Sequence, residues 1–437
     1  MKDFLRRFTA RLFEFQTRRL MARRQFKVVG VSGAAGKTST KLAIATVLEQ
    51  KYRVLVQWGS FNDEIGLPLA CFDLPLPGNI FNPLPWLWLL VRTELQLHRP
   101  YPYEVLVIEI GTDAPGEVPH TLTYLRPDIG VVTAVMAEHM EYFADLEAVA
   151  AEELALAAGS AVAVVNRDDV APKYWDKYVA PHPKHYSYGL GEERDYGFIL
   201  AKTDPIKGTT GRLVRQGKGG LGQLRLGLYG RHSAKMAAAA YAVGDLLGLT
   251  AAQLQAGVLA IRPAPGRMNP LRGIGGSVII DDSYNSSPES ARAALEAVAT
   301  VGSVNRRFAI LGSMNELGED SQRYHEQLGR AAAAASLDFL VTTGELANKY
   351  LGPAALAAGL PADKYAAATS PYAAAELMRS HLGPGDLLLV KGSQNGVFTE
   401  EAVRPLLADP ADAKLLVRQA PAWQARKRRQ FPDAPKA

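Results

Sequence analysis

The sequence predicts an α/β fold: a P-loop-type nucleotide domain with a mainly parallel sheet, followed by a smaller Rossmann-like α/β C-terminal domain. Three observations carry this. Short apolar runs recur at 26–30, 53–57, 104–110, 129–134, 161–165, 277–281, 307–311, 338–342 and 386–390, with helical patterns between them. Strands buried on both faces of a parallel sheet read this way. A glycine-rich turn, VSGAAGKTSTK at 31–41, separates the first run from the helical LAIATVLEQ. A Pro/Gly break, RPAPGR at 262–267, divides the later runs from the earlier ones. The implied segments are a basic helix over 1–25, a nucleotide domain over 26–262 and a C-terminal domain over 263–437.

The elements follow in order. Residues 1–24 hold eight Lys/Arg against two Asp/Glu, a net +6. Leu5, Phe8, Leu12 and Phe15 fall at helical spacing, with arginines mostly off that stripe. Two readings stand: an amphipathic helix on an anionic membrane surface, or a helix packed on its own domain. In the turn, Gly30, Gly33 and Gly36 allow close backbone approach and positive φ. Gly33, Ala34, Ala35 and Gly36 would line a phosphate cradle, and Lys37, Thr38 and Ser39 open the helix behind it. Helix N-termini attract anions, Lys37 can reach terminal phosphates, and Thr38 can offer its hydroxyl to Mg²⁺. The general template, G-x-x-x-x-G-K-[ST], needs glycine at 31, where this chain has Val31. The bland alternative is an ordinary turn containing Gly-Lys-Thr. Glu109 ends the apolar VLVIEI, where a carboxylate needs a cation or donors. The Pro- and Trp-rich 73–103 is either a substrate surface or a packed insertion. The Gly-rich 207–230 alternates as hairpins do.

Composition bounds the function. The chain has 437 residues, 48% of them apolar, enough for two or three domains. Its one cysteine, Cys71, excludes an intrachain disulfide and fits a reducing compartment. No secretory signal is expected, and the most apolar segment, PLPWLWLLV, is too short to span a bilayer. The last 24 residues also carry +6, so the middle of a chain of net +5 is acidic. A basic surface exists only at the two ends, and no nucleic-acid partner is expected.

Beyond these patterns, the chain resembles a known family. GVSGAAGKTST resembles the phosphate loop of the Mur ligases, which departs from the general template in the same way. GSFNDEIGLPL, VIEIGTDAPGEV, VVTAVMAEHMEYF and VVNRDD follow in the family's order. So do GRHSAKMAAAAYAVGDLLGL, PGR, IIDDSYNSSPES, AILGSMNELG and LLVKGSQ, over about residues 26–405. The likeness is strongest to the branch that adds D-alanyl-D-alanine to a muramyl tripeptide.

The resemblance implies an ATP- and Mg²⁺-dependent ligase that activates a carboxylate as an acyl phosphate for attack by an amine. Its partners would be a cell-wall peptide precursor and an amino acid or dipeptide amine. Lys37, His139 and Lys391 would be catalytic, and Thr38, Glu109, His139 and Glu153 would serve the metals. Arg267, Asp282, Tyr284 and Asn285 would close on the nucleotide, while Asn62 and Ser393 would face substrate. The structural alternative for DDSYN is an Asx turn ahead of a helix.

Departures from the family pattern matter too. Where many members place a carbamylated lysine, this chain reads LEAVAAEELALAAG, with Glu152 or Glu153 nearby. Ser233 and Met236 replace two asparagines of the family's adenine block. The phosphate loop begins at residue 30, which leaves no room ahead of it for the UDP-binding domain of the muramyl ligases. Amidation of a lipid-linked wall precursor, extension of an amino-acid polymer, and a nucleotide-gated membrane scaffold stay open as alternatives.

Overall fold

The computed structural model describes residues 2–23, 25–56, 64–77, 82–137, 140, 142–205 and 207–434. The chain divides into two compact units. The first comprises residues 1–202, 210–226 and 231–262; the second comprises 203–209, 227–230 and 263–437.

One sheet holds β1 (Lys27–Ser32), β2 (Val54–Val56), β3 (Val105–Glu109), β4 (Ile129–Val132), β5 (Val162–Asn166), β6 (His185–Leu190), β7 (Tyr196–Asp204), β8 (Gly208–Arg215) and β9 (Gly219–Leu226). Their order is β2-β3-β1-β4-β5-β6-β7-β8-β9. Pairings from β2 through β6 are parallel. β1 and β3–β5 are almost wholly buried, which is why they read as unbroken apolar runs. β9 instead mixes exposed and buried positions, with Leu221, Leu224 and Leu226 buried.

The second sheet holds β10 (Asn269–Arg272), β11 (Val278–Asp282), β12 (Arg307–Gly312), β13 (Phe339–Thr343), β14 (Tyr365–Ala368) and β15 (Leu387–Lys391). Its order is β10-β11-β15-β12-β13-β14. β10 is antiparallel to β11, and the remaining pairings are parallel. Separate apolar clusters lie beneath its helices, one around Leu295, Leu328 and Leu340, the other around Phe308, Met378 and Leu388.

Six helices of the first unit matter below: α1 (Lys2–Arg23), α2 (Lys37–Leu48), α3 (Gly66–Cys71), α4 (Pro83–Leu97), α5 (Glu117–Leu122) and α6 (Leu146–Gly159). Asn82 caps α4 by accepting from Leu84 N, and Asp145 caps α6 by accepting from Ala148 N. α1 packs on α3 and α4, burying Ala10, Phe13, Thr17 and Leu20. The stripe that stood out in the sequence is not the packed one: Phe8 and Phe15 remain about half exposed. Both sequence readings of α1 rested on that stripe, and its docking face is a different one.

Among the described residues, no helix is long and apolar enough to cross a membrane.

Candidate active site

The glycine-rich loop follows β1, the strand flanked by β3 and β4, at the carboxyl ends of a parallel sheet. Open α/β sheets place ligands there. Gly33 has φ 123°, and a Cβ on it would lie 2.2 Å from Thr133 Oγ1. No other residue fits. Gly36 precedes α2 with φ 82°, in the left-handed region, and contributes no side chain to cap the helix. The first turn of α2 therefore opens into the loop. Thr133 clamps the loop, its N–H donating to Ser32 O (2.9 Å) and its hydroxyl to Ala35 O (2.6 Å). Ala34 N donates to Ala134 O at 3.0 Å.

The strand register then brings in the acid. Val31 of β1 pairs with Glu109 of β3, so the carboxylate stands beside the loop. Thr38 Oγ1 donates to Glu109 Oε2 at 2.9 Å, and Lys41 Nζ lies 3.2 Å from the same oxygen. All three residues are buried. A buried carboxylate persists only with such partners. A hydroxyl and a carboxylate held together are the hard oxygen donors that Mg²⁺ takes alongside water, so the residues present fit that ion. Lys41 was missed in the sequence. Its one signal is position: it follows Lys37 by one helical turn, on a face that the surrounding alanines and isoleucine mark as core.

Glu152 and Glu153 are both buried but engaged differently. Glu153 Oε2 accepts from Gly33 N at 2.6 Å, and its carbonyl accepts from Ser32 Oγ at 2.9 Å. It therefore touches the phosphate loop. Glu152 accepts from Gly116 N and Val118 N, each at 2.7 Å, one with each oxygen. Its carboxylate is committed to the start of α5. Among the described residues, no group of three or more His, Cys, Asp or Glu is placed to hold a metal. His139 and Asn62 lie outside the described residues.

The second unit gathers most of its own candidates. Asp282 of β11 pairs in register with Lys391 of β15. Lys391 Nζ lies 2.7 Å from Asp282 Oδ2 and donates to Asn285 O at 2.9 Å. Asp282 Oδ1 accepts from Met268 N at 3.0 Å. The Arg267 guanidinium sits 4.1 Å from the Tyr284 ring centroid. Ser393 is buried, and its hydroxyl donates to Ser286 O (2.9 Å) and accepts from Asn315 N (3.0 Å). Those bonds tie three strand-end loops together, those after β11, β12 and β15. Arg418 was missed as well: it donates to the carbonyls of Ser283 and Tyr284 and pairs with buried Glu400 at 2.7 Å.

A phosphate loop with a buried Thr–carboxylate pair, followed by a second parallel α/β unit, defines a nucleotide-dependent enzyme of two α/β domains. Residues 91–244 match the Mur ligase middle domain, and residues 266–394 match the Mur ligase, glutamate ligase domain. The chain belongs to the Mur ligase family. It is an ATP-dependent, ADP-forming ligase that uses Mg²⁺. It is 27% identical over 387 residues to the UDP-N-acetylmuramoyl-tripeptide–D-alanyl-D-alanine ligase of Bacillus subtilis, covering 88% of this chain and 76% of the relative. The enzyme of that name from Mycobacterium leprae is 29% identical over 392 residues, covering 84% of this chain and 71% of its own. In fold, the chain is similar to the MurF ligase of Thermotoga maritima in complex with ADP. That likeness has a TM-score of 0.70 at 24% identity and covers 90% of this chain and 82% of the other.

Proposed function

We propose that this chain adds D-alanyl-D-alanine to the terminal carboxylate of a muramyl tripeptide during peptidoglycan precursor synthesis, in the cytoplasm. The observation that carries the reading is the buried Thr38–Glu109–Lys41 group beside the Gly33 loop. It occurs in a chain whose relatives are named for that reaction. ATP supplies the phosphoryl group that turns the carboxylate into an acyl phosphate, releasing ADP; amine attack then expels phosphate, and Mg²⁺ would neutralise phosphate charge.

The chain's own residues do the rest. The backbone from Gly33 to Gly36 and the first turn of α2, through Lys37, Thr38 and Ser39, cradle the phosphates. Lys37 faces the terminal ones, where fixed positive charge favours the transition state. Thr38 and Glu109 would hold Mg²⁺, and Lys41 fixes the Glu109 side chain in place. His139 and Glu153 serve the second metal position. Asp282 takes the ribose, with Tyr284, Asn285 and Arg267 at the nucleotide. Lys391 positions Asp282, and Ser393 positions the loop that meets substrate. Asn62 faces the precursor. Residues 1–24 hold the enzyme at the inner face of the membrane.

The test is ADP release with UDP-linked and lipid-linked muramyl tripeptides, with and without D-alanyl-D-alanine. The expected result is amine-dependent ADP release and a product heavier by the dipeptide residue. ADP release that ignores the amine, or no turnover with either precursor, would refute the reading.

A further inference from the structure

α4 carries apolar side chains on both its inner and its outer face, with Arg92, Thr93, Glu94 and Gln96 as polar exceptions. Its inner face buries Leu89, Thr93 and Leu97. Its outer face presents Leu84, Leu87, Trp88, Val91 and Leu95, which are between 52% and 69% exposed. Those five positions repeat at helical spacing and form one continuous stripe. A contiguous exposed apolar patch marks an interaction surface.

The surroundings select the occupant. α1 lies along α4 in the same direction. Phe13 contacts Trp86 (ring centroids 6.3 Å apart), Arg19 and Gln16 both bond Glu94, and Arg23 Nη1 donates to Leu97 O at 3.3 Å. α1 exposes Arg7, Arg11 and Arg18. Arg92 lies 4.8 Å from the Trp88 ring centroid, within the stripe itself. Among the described side chains, the acids on these helices are engaged: Glu94 with Arg19, and Glu14 with His120 at 2.9 Å. A second copy docking through the same face would set arginines against arginines. A phospholipid surface supplies apolar chains for the stripe and negative head groups for the arginines. Tryptophan and arginine both suit that boundary, each with an apolar body and a polar edge.

We propose that the outer face of α4, flanked by the arginines of α1, docks the first unit on an anionic phospholipid surface. This deepens the membrane reading of residues 1–24 by placing the apolar contact on another helix, and it is independent of which amide the enzyme makes.

The test uses the full chain and vesicles of phosphatidylcholine alone or mixed with phosphatidylglycerol, read by co-sedimentation and tryptophan emission. Wild type should bind the mixed vesicles, less at high salt, and barely bind the neutral ones. Leu87→Glu with Val91→Glu should lower binding by about tenfold or more. The melting temperature and ADP release on a soluble substrate should not change, because both positions are exposed. If that variant binds like wild type while Arg7→Gln with Arg11→Gln and Arg18→Gln does not, α1 alone carries attachment and the α4 proposal fails. If wild type binds no vesicle, both fail. A dimer that Leu87→Glu and Val91→Glu split, without vesicle binding, would make the face a contact between copies and overturn the proposal.

Discussion

Glu152 and Glu153 are adjacent in sequence and equally buried, yet substitution should separate them. Glu152 accepts one backbone N–H with each oxygen. Glutamine keeps one acceptor and turns an amine toward the other N–H, leaving buried donors facing each other. Glu152→Gln should therefore cost about 1–3 kcal/mol of stability, with the Mg²⁺ requirement unchanged. Glu153→Gln keeps its acceptor for Gly33 N but loses the charge beside the loop. It should fold like wild type and need several-fold more Mg²⁺ for half-maximal ADP release. If neither variant changes Mg²⁺ dependence, Glu153 is a loop brace alone. Lys37→Ala should lower turnover by about a hundredfold or more, since a lost charge contact in the transition state costs several kcal/mol. The protein should still unfold within about 1 kcal/mol of wild type, because Lys37 opens a helix outside the core. Turnover within a few-fold of wild type would remove Lys37 from the chemistry. At this scale the sequence revealed what patterns reveal. Lys37, Thr38 and Glu109 stood in a loop and at a strand end, positions that carry chemistry. Lys41 and Arg418 did not, because each acquires meaning only from a partner distant in sequence.

The helices show how burial, not size, decides a face. In α1 the conspicuous residues were Phe8 and Phe15, yet the docked face consists of Ala10, Phe13, Thr17 and Leu20. Alanine and threonine weaken a stripe on any hydrophobicity scale, and they are the residues that let a helix approach closely. Phe13 is fully buried against Trp86. Phe13→Ala should cost about 3–5 kcal/mol in urea unfolding, the range for emptying a buried aromatic site. Phe8→Ala and Phe15→Ala should each stay within about 0.5 kcal/mol of wild type. Equal losses at Phe8 and Phe13 would mean that α1 docks by the other face. Strands were easier to locate. β3 and β4 lie within the predicted apolar runs, and β1 and β5 overrun theirs by two residues and one, because both faces are covered and no polar alternation blurs them. β6 and β7 escaped that search because their burial is broken, while β8 and β9 fall in the 207–230 stretch read as hairpin-like.

Across the whole molecule, charge reads differently in three dimensions than along the chain. The C-terminal 24 residues look like a basic tail of net +6. Two of those charges turn inward: Lys427 and Arg418 bind Glu400 at 2.8 and 2.7 Å, and Lys427 binds Glu401 at 2.6 Å, with both acids buried. Burial pushes the Glu401 carboxyl up, and Lys427, Gln419 and Arg404 together more than offset it, holding it below the usual range. Such a group stabilises the fold above the ordinary carboxylate range and loses that contribution as pH falls through its lowered value. Asp281 acts in the opposite sense. Burial first, then the nearby Glu400 and Asp282, against donors from Ser283, leave it pushed up to about 7. Its contribution is complete below pH 3.8 and is lost as pH rises toward 7. Stability of the second unit should therefore peak between those limits. Lys427→Met removes the cation and leaves Glu400 with Arg418 and Glu401 with Arg404, 3.8 Å away. At neutral pH this should cost about 3–5 kcal/mol, the range for breaking a buried ion pair. Without Lys427, burial is opposed only by Gln419 and Arg404, so the pH dependence of Glu401 should weaken or reverse. The variant should then recover part of its loss on acidification from pH 7.5 to pH 5. Urea unfolding of both proteins at those two values measures it. A loss of the same size at both would show that Lys427 stabilises by packing its methylene stem against Phe398, whose ring lies 5.5 Å from Nζ, and not by charge.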